Sequence, residues 1–180
     1  MTLSEYLMHL FKETLADNKS KPKAPPQVNG KPTRVERIDM IKKHEALRLE
    51  AYLPTPHDVP TIGWGHTGTT YMGMKITEEQ AEELLRSDLK WVRDVIAKDV
   101  SVPLSQEQYD ALASFIFNLG GGNFRSSTLL RKLNAYDYLG AADEFLKWDK
   151  QRQGGRMVRL RGLTKRRAEE RLLFLEGTDK

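Results

Sequence analysis

Apolar side chains recur at three- and four-residue spacing along most of the chain, which is the pattern of helices that bury one face. The predicted helices occupy residues 3–15, 35–47, 81–96, 105–119, 127–133, 138–148 and 164–176. Two of these helices begin with a capping box, in which a Thr or Ser and a Gln three positions later satisfy free N–H groups. The boxes pair Thr77 with Gln80 and Ser105 with Gln108. The spacing therefore predicts a mainly helical protein.

Residues 49–70 break this pattern, because prolines and glycines are interspersed there with Thr, Ile and Trp. Prolines do not continue a helix, so the prolines in this stretch end the first helix and stiffen the loop that follows. This is the only region for which the sequence predicts strands. Strands near the start and helices after them define an α+β fold. If the long helix at 81–96 links two lobes, a cleft that can hold a polymer lies between them.

The N-terminal segment 1–33 has a different composition. Its predicted short helix at 3–15 is followed by a stretch, 18–33, that is rich in lysine and proline and typical of an extended linker. We predict that residues 34–177 form the compact domain and that 178–180 are a tail.

Composition excludes several classes of protein. The 180-residue chain contains no cysteine and four dispersed histidines, so we expect no disulfide scaffold, no thiol enzyme and no metal site. Its apolar runs are far shorter than the ~18–20 residues of a membrane span. The first residues lack the basic lead and small-residue cleavage site of a signal peptide. We therefore expect neither a membrane span nor a secretion signal.

The net charge of +4 is unevenly distributed. Residues 149–171 contain nine Lys or Arg against three acids, which indicates either an anionic partner or an internal acid. A nucleic-acid-binding module is disfavoured, because this segment lacks interleaved aromatic residues and any groove-reading motif. We expect no nucleic-acid partner.

Two blocks of sequence concentrate the candidate chemistry. Residues 45–52 read Glu-Ala-Leu-Arg-Leu-Glu-Ala-Tyr, and residues 61–67 read Thr-Ile-Gly-Trp-Gly-His-Thr. Together with further blocks at 108–112, 117–120, 124–130 and 162–169, they resemble the phage-type lysozymes, the endolysin family of glycoside hydrolases (family 24). The resemblance extends over about residues 34–177 and nothing before Arg34 shares it.

The resemblance implies a lysozyme-like fold of two lobes with a cleft. It also implies hydrolysis, without a cofactor, of the β-1,4 bond between N-acetylmuramic acid and N-acetylglucosamine in bacterial peptidoglycan. Glycoside cleavage needs an acid to protonate the leaving oxygen and a second group to activate water or stabilise the oxocarbenium-like state. By their places in the motif, Glu45 is the expected general acid and Thr61 the expected water-positioning hydroxyl.

The second carboxylate departs from the family pattern. Pro54 stands at the position where the family has Asp or Cys, and the segment from Glu45 to Thr61 is one residue longer than usual. Asp58 is the only acid in the loop and is our candidate for the second catalytic carboxylate. His57 is the alternative substitute. A third interpretation is that the site has been remodelled and lacks this group, so that the protein binds cell walls but does not cleave them.

Other residues take roles from the same resemblance or from residue type and charge pattern. Phe117 and Asn118 are expected to line the cleft, and Arg166 to approach the catalytic glutamate. His66 and Asp88 are expected to form a structural ion pair. Trp64 is expected in the core.

Arg167 and Arg171 are expected on a solvated face, since runs of charge usually are. Arg156, Arg159 and Arg161 are expected to meet the peptide carboxylates of the substrate.

A biological setting also follows from the resemblance. With no anchor segment predicted, we expect a monomer that accumulates in the cytoplasm of the infected host cell. It would reach the wall after a holin-type lesion opens the membrane. Use as a virion-associated lysozyme at entry is the alternative, with segment 1–33 as its dock.

Overall fold

The computed structural model describes residues 38–55 and 58–178 in full. It also describes the backbone of two short antiparallel strands, β1 (Gln27–Val28) and β2 (Lys31–Pro32). The helix predicted at 3–15 lies outside the described residues. The strand pair falls in the stretch predicted as a linker, and the proposed domain boundary at residue 34 stays a prediction.

The compact part begins with helix α1 (Asp39–His44). The remaining described elements are β3 (Arg48–Tyr52), β4 (Thr61–Gly63), α2 (Glu78–Asp88), α3 (Lys90–Asp99), α4 (Gln106–Leu119), α5 (Gly121–Arg125), α6 (Thr128–Asn134), α7 (Tyr138–Phe145), β5 (Lys150–Gln153), β6 (Arg156–Arg159) and α8 (Arg161–Glu176). The mainly helical α+β class is confirmed.

Strands β3 and β4 form an antiparallel hairpin with an irregular register, in which Arg48 opposes Gly63 and Tyr52 opposes Thr61. After β4 the chain reverses at once, because the N–H and carbonyl of Ile62 both bond to His66 at 2.9 Å. Gly63 makes this turn with φ +63, and a Cβ there would lie 3.4 Å from the Cβ of Ala81 on α2. The glycine therefore permits both the turn and the close approach of the helix.

Both predicted capping boxes are confirmed, at the N-termini of α2 and α4. The single long helix predicted at 81–96 is wrong, because it is divided at Leu89 into α2 and α3. Leu89 has ψ −5, and the carbonyl of Arg86 accepts a hydrogen bond from the Arg93 guanidinium instead of a helical N–H. A side chain thus satisfies a backbone group at the break.

The core lies where α4, α7 and α8 pack against one another. Phe115 of α4 makes edge-on contacts with Phe145 and Trp148, with ring centroids 5.0 and 5.8 Å apart. Phe145 in turn lies 5.6 Å from Phe174 of α8. Phe115 and Ile116 are fully buried. These contacts link α4 to α7 and α7 to α8, and α8 carries the arginines of the site.

The first helix is shorter than predicted and ends at His44, so Glu45 and Leu47 lie beyond it. The helix predicted to end at Trp148 ends at Phe145. The prediction that 49–70 is the only strand region is wrong, because β5 and β6 form a second hairpin. That hairpin turns at Gly154 and Gly155, with φ +53 and +81.

Candidate active site

Glu45 is placed by the end of α1. It is the C-terminal cap of the helix, with extended backbone angles (φ −104, ψ 134), and its N–H bonds to the carbonyl of Ile41 at 2.9 Å. Since Ile41 is buried, the backbone at Glu45 is held to the core. The side chain is 27% exposed, so its carboxylate is accessible from solvent.

Glu45 lies in a pocket of about 480 Å³. The pocket is lined by the end of α1, the glycine turn after β4, the junction of α2 and α3, and the end of α4. The lining residues are Glu45, Trp64, Gly65, Thr67, Gly68, Asp88, Trp91, Phe117 and Asn118. The structure therefore brings together Glu45, Asp88, Phe117 and Asn118 from the predicted set. Trp64 is buried, as predicted, and also lines the pocket.

Arg166 of α8 reaches the same carboxylate. Its Nη1 donates to Glu45 Oε1 at 2.5 Å, and its Nη2 donates to the backbone carbonyl of Ser114 at 3.2 Å. Its Nε donates to Oε1 of Glu170, one turn further along α8, at 3.1 Å. Arg166 is buried, so its guanidinium has a fixed orientation beside Glu45.

The prediction that Arg167 lies on a solvated face is wrong. Arg167 and Glu170 are both fully buried, and Arg167 Nε lies 3.1 Å from Glu170 Oε2. The guanidinium also stacks over the ring of Phe115 and donates from Nη2 to Asn118 Oδ1 at 2.8 Å. Burial lowers the pKa of Arg167 to about 10, against the opposing effect of Glu170. Arg171 pairs with Asp143 at 2.8 Å and is half-buried.

His66 pairs with Asp88, which lines the pocket. His66 Nδ1 is 2.9 Å from both carboxylate oxygens of Asp88. The backbone N–H of Thr69 donates to His66 Nε2 at 3.2 Å. Because Nε2 accepts a hydrogen bond, the proton of the neutral ring lies on Nδ1 and is donated to Asp88.

The candidates for water activation lie on the hairpin loop and its second strand. Thr61 is buried, and its hydroxyl donates to the carbonyl of Val59 at 3.0 Å. Asp58 is exposed, and its N–H bonds to the carbonyl of Thr55 at 3.1 Å, which closes a turn. His57 lies outside the described residues. Neither Thr61 nor Asp58 lines the pocket that contains Glu45.

Trp91 lines the pocket but was not predicted as a site residue. It stands at the start of α3, with 40% of its surface exposed. An exposed indole beside a glutamate offers a flat apolar face on which a sugar ring can pack. Its signal in the sequence was an aromatic residue on the polar side of the 81–96 stripe.

His44, the residue before Glu45, belongs to a second charged cluster. His44 Nε2 lies 2.9 Å from Oε2 of Glu169, which also pairs with Lys43 at 2.9 Å. Burial lowers the pKa of His44, and the neighbouring Arg166 lowers it further, while Glu169 opposes the shift. His44 is therefore neutral near pH 7 and leaves Arg166 as the cation in contact with Glu45.

Among residues 38–55 and 58–178, no cluster of histidine and acidic side chains has the arrangement of a metal site. No helix in the described part of the chain is long and apolar enough to cross a membrane.

A carboxylate in an open pocket between a strand-bearing lobe and a helical lobe is the arrangement of a lysozyme-type glycoside hydrolase. Residues 42–170 match the family model described as phage lysozyme. The chain is 47% identical over 135 residues to an endolysin of Acyrthosiphon pisum secondary endosymbiont phage 1, covering 75% of this chain and 92% of that protein. It is 48% identical over 143 residues to an endolysin of Salmonella phage P22, covering 77% and 94%.

A solved structure shows the same fold. The muramidase domain of SpmX from Asticaccaulis excentricus superposes with a TM-score of 0.75 at 37% identity, covering 79% of this chain and 97% of that chain. The chain therefore belongs to the phage lysozyme family. Its activity is that of an endolysin, a muramidase that hydrolyses bacterial peptidoglycan.

Proposed function

We propose that Glu45 is the general acid of this muramidase and that Arg166 orients it. The observation that carries this proposal is the contact of the buried Arg166, through Nη1, with Oε1 of Glu45, which lines the pocket. Since Oε1 is held by the guanidinium, Oε2 is the oxygen that carries the proton to the glycosidic oxygen. Phe117 and Asn118 flank the acid and bind the sugar chain.

Thr61 and Asp58 are proposed to act on water at the opposite face of the sugar. The hydroxyl of Thr61 donates its proton to the carbonyl of Val59. The lone pairs of Oγ1 can therefore accept a hydrogen bond from a water molecule. A carboxylate at Asp58 would take the second proton of that water as attack proceeds. His57 is the alternative base. His66 and Asp88 are proposed to be structural, because both ring nitrogens of His66 form hydrogen bonds within the protein, one with Asp88 and one with the Thr69 backbone.

The second hairpin is proposed to meet the peptide stems of peptidoglycan. Its strands are exposed along their whole length and carry Lys150, Arg152, Arg156 and Arg159. By its register, Lys150 lies directly opposite Arg159, and like charges in that relation destabilise a hairpin. The ion pair of Arg159 with Asp149 at 2.7 Å offsets part of this repulsion. The other cations are available for the carboxylates of the stems.

The protein is proposed to act as a monomer, without nucleic acid, in lysis of the host cell. It would reach the wall from the cytoplasm once the membrane has been opened, with residues 34–177 as the catalytic domain. Virion-associated use is the alternative setting.

The decisive experiment is clearing of a peptidoglycan suspension by the Glu45→Gln variant. We expect a folded protein whose rate is lower by about 100- to 10,000-fold, the range for loss of a general acid. Folding is checked by circular dichroism and by the unfolding midpoint. A folded variant that retains more than about a tenth of the lytic rate would contradict the assignment.

A further inference from the structure

The buried charges behind the pocket form a branched network with one carboxylate at its centre. Glu170 accepts from Arg166 Nε at 3.1 Å and from the Ser114 hydroxyl at 2.6 Å through Oε1, and pairs with Arg167 Nε at 3.1 Å through Oε2. Each arginine then extends to a different residue of the pocket. Arg166 reaches Glu45, and Arg167 reaches Asn118.

We propose that Glu170 is a positioning residue that orients the catalytic acid Glu45 and the substrate-binding amide of Asn118 together, through Arg166 and Arg167. The inference rests on the proposed roles of Glu45 and Asn118, and goes beyond them by assigning a function to a residue that does not line the pocket.

The energetics of the network favour a role in the site over a role in stability alone. Glu170 and Arg167 are fully buried, and a buried ion pair seldom stabilises a fold more than apolar side chains of similar volume. Arg167 is also incompletely satisfied, because its Nη1 has no hydrogen-bond partner among the described residues. What the two guanidiniums do provide is planar, rigid donors aimed at two fixed acceptors.

The contact with Asn118 has a specific chemical consequence. An asparagine amide can present either its carbonyl or its NH₂ group, and a neighbouring donor decides which. Because Arg167 donates to Oδ1, the NH₂ group of Asn118 is turned the other way. The exposed amide therefore offers donors to the sugar chain, whose N-acetyl carbonyl oxygens are acceptors. Releasing Arg167 would let the amide rotate and would weaken this recognition.

The test is a double-mutant cycle on a soluble oligosaccharide of alternating N-acetylglucosamine and N-acetylmuramic acid, with kcat and KM measured separately. Glu170→Gln keeps the size of the side chain and removes its charge. We expect kcat to fall about tenfold or more as Glu45 loses its fixed geometry. KM should rise about threefold to tenfold as Asn118 loses its orientation, the worth of one hydrogen bond.

The coupling between variants separates positioning from stability. Asn118→Ala should raise KM in the wild-type background and add little to KM in the Glu170→Gln background. Independent multiplication of the two KM effects, or a folded Glu170→Gln enzyme within about twofold of wild type in both constants, would overturn the proposal. Asp143→Asn is the matched control. It removes the ion-pair partner of Arg171, which follows Glu170 on α8, and should leave both constants unchanged.

Arg167→Lys covers the case in which Glu170→Gln does not fold. A lysine keeps the charge beside Glu170 but lacks the fork that reaches Asn118, so we expect a higher KM with kcat within about twofold. This effect should also vanish in the Asn118→Ala background. An unchanged KM would overturn the proposal. So would a double variant, Arg167→Lys with Asn118→Ala, whose KM effect is the product of the two single effects. Loss of activity in Glu45→Gln tests the general acid separately, so failure of the two ideas is distinguishable.

Discussion

The imidazole of His66 donates to Asp88 from Nδ1, 2.9 Å from each carboxylate oxygen, and this bond joins the glycine turn after β4 to the last residue of α2. The ring is buried and its other nitrogen accepts from the Thr69 backbone. The pair therefore fixes the turn that places Trp64, Gly65 and Thr67 at the pocket.

Replacing Asp88 should cost stability in proportion to the acceptors it removes. Asp88→Ala leaves a buried N–H without a partner, so we expect a loss of about 1–3 kcal/mol in the free energy of unfolding. Asp88→Asn keeps one acceptor oxygen and should cost less. Urea unfolding measures both, with Asp94→Ala on the exposed side of α3 as a control expected within about 0.5 kcal/mol of wild type. Equal stability of Asp88→Ala and the control would contradict a structural role.

His44 should make stability depend on pH. Burial and Arg166 lower the pKa of His44 from its usual value near 6.5, so the unfolded chain binds a proton that the folded protein does not. Stability then rises with pH, is fully present above about pH 6.5, and is lost as the pH falls toward the folded-state pKa. A single group contributes at most about 1.4 kcal/mol per pH unit.

The comparison of wild type with His44→Gln isolates this contribution from the carboxylates that titrate at lower pH. Urea unfolding at about pH 7.5 and about pH 5.5 brackets the window set by the histidine. The loss of stability between the two values should be smaller in the variant. An equal loss in both proteins would contradict the assignment to His44.

Sequence reasoning succeeded where residue type and position agree. The capping boxes at Thr77 and Ser105 identify helix starts from local chemistry alone, and the order of the sequence blocks indicates the phage lysozyme family. It failed at β5 and β6, whose residues are all exposed, because a hairpin without a buried face has no apolar alternation to detect. The pair Gly154 and Gly155 was the available signal, since both have positive φ.

The buried face of α8 shows a second limit. Its buried residues are Arg166, Arg167, Glu170 and Phe174, which share one face at helical spacing, yet three of the four are charged. A pattern of apolar residues cannot reveal such a face, because charged side chains are seldom buried unless paired. The partners, Ser114 and Asn118 on α4, are about fifty residues distant along the chain. Only the fold brings them together.

The domain boundary near residue 34 predicts that the first 33 residues are separable. The strands β1 and β2 pair with each other and with no other described strand. Deleting residues 1–33 should therefore leave the thermal midpoint within a few degrees, the shift that corresponds to less than about 1 kcal/mol in a domain of this size. Differential scanning calorimetry measures it. A drop of ten degrees or more, well beyond the ~2–8 °C per kcal/mol expected for such domains, would show that this segment packs on the core.

The cationic hairpin should govern binding to the wall through salt-sensitive contacts. We expect the double variant Arg152→Gln with Arg156→Gln to bind insoluble peptidoglycan more weakly in a pelleting assay. Its binding should also depend less on salt between about 50 and 300 mM, where screening of exposed charges increases. Lys98→Gln, at an exposed position of α3, is the control. Binding should be insensitive to the hairpin variant when the peptide stems have been removed. An equal loss on stripped glycan would assign the cations to another anion.

The loop between β3 and β4 decides how water is activated. If Asp58 is the second catalytic carboxylate, displaced along the chain by the longer hairpin, Asp58→Asn removes the charge and preserves the size of the side chain. Clearing of a peptidoglycan suspension should then slow at least about a hundredfold, while His57→Ala should cost far less. The reverse result would assign the base to His57, and the wild-type rate would then fall below about pH 6.5, where a free imidazole protonates. If both variants stay active while Glu45→Gln is inactive, the loop supplies no essential base. Thr61, whose hydroxyl is fixed by Val59, would then be the group that positions water.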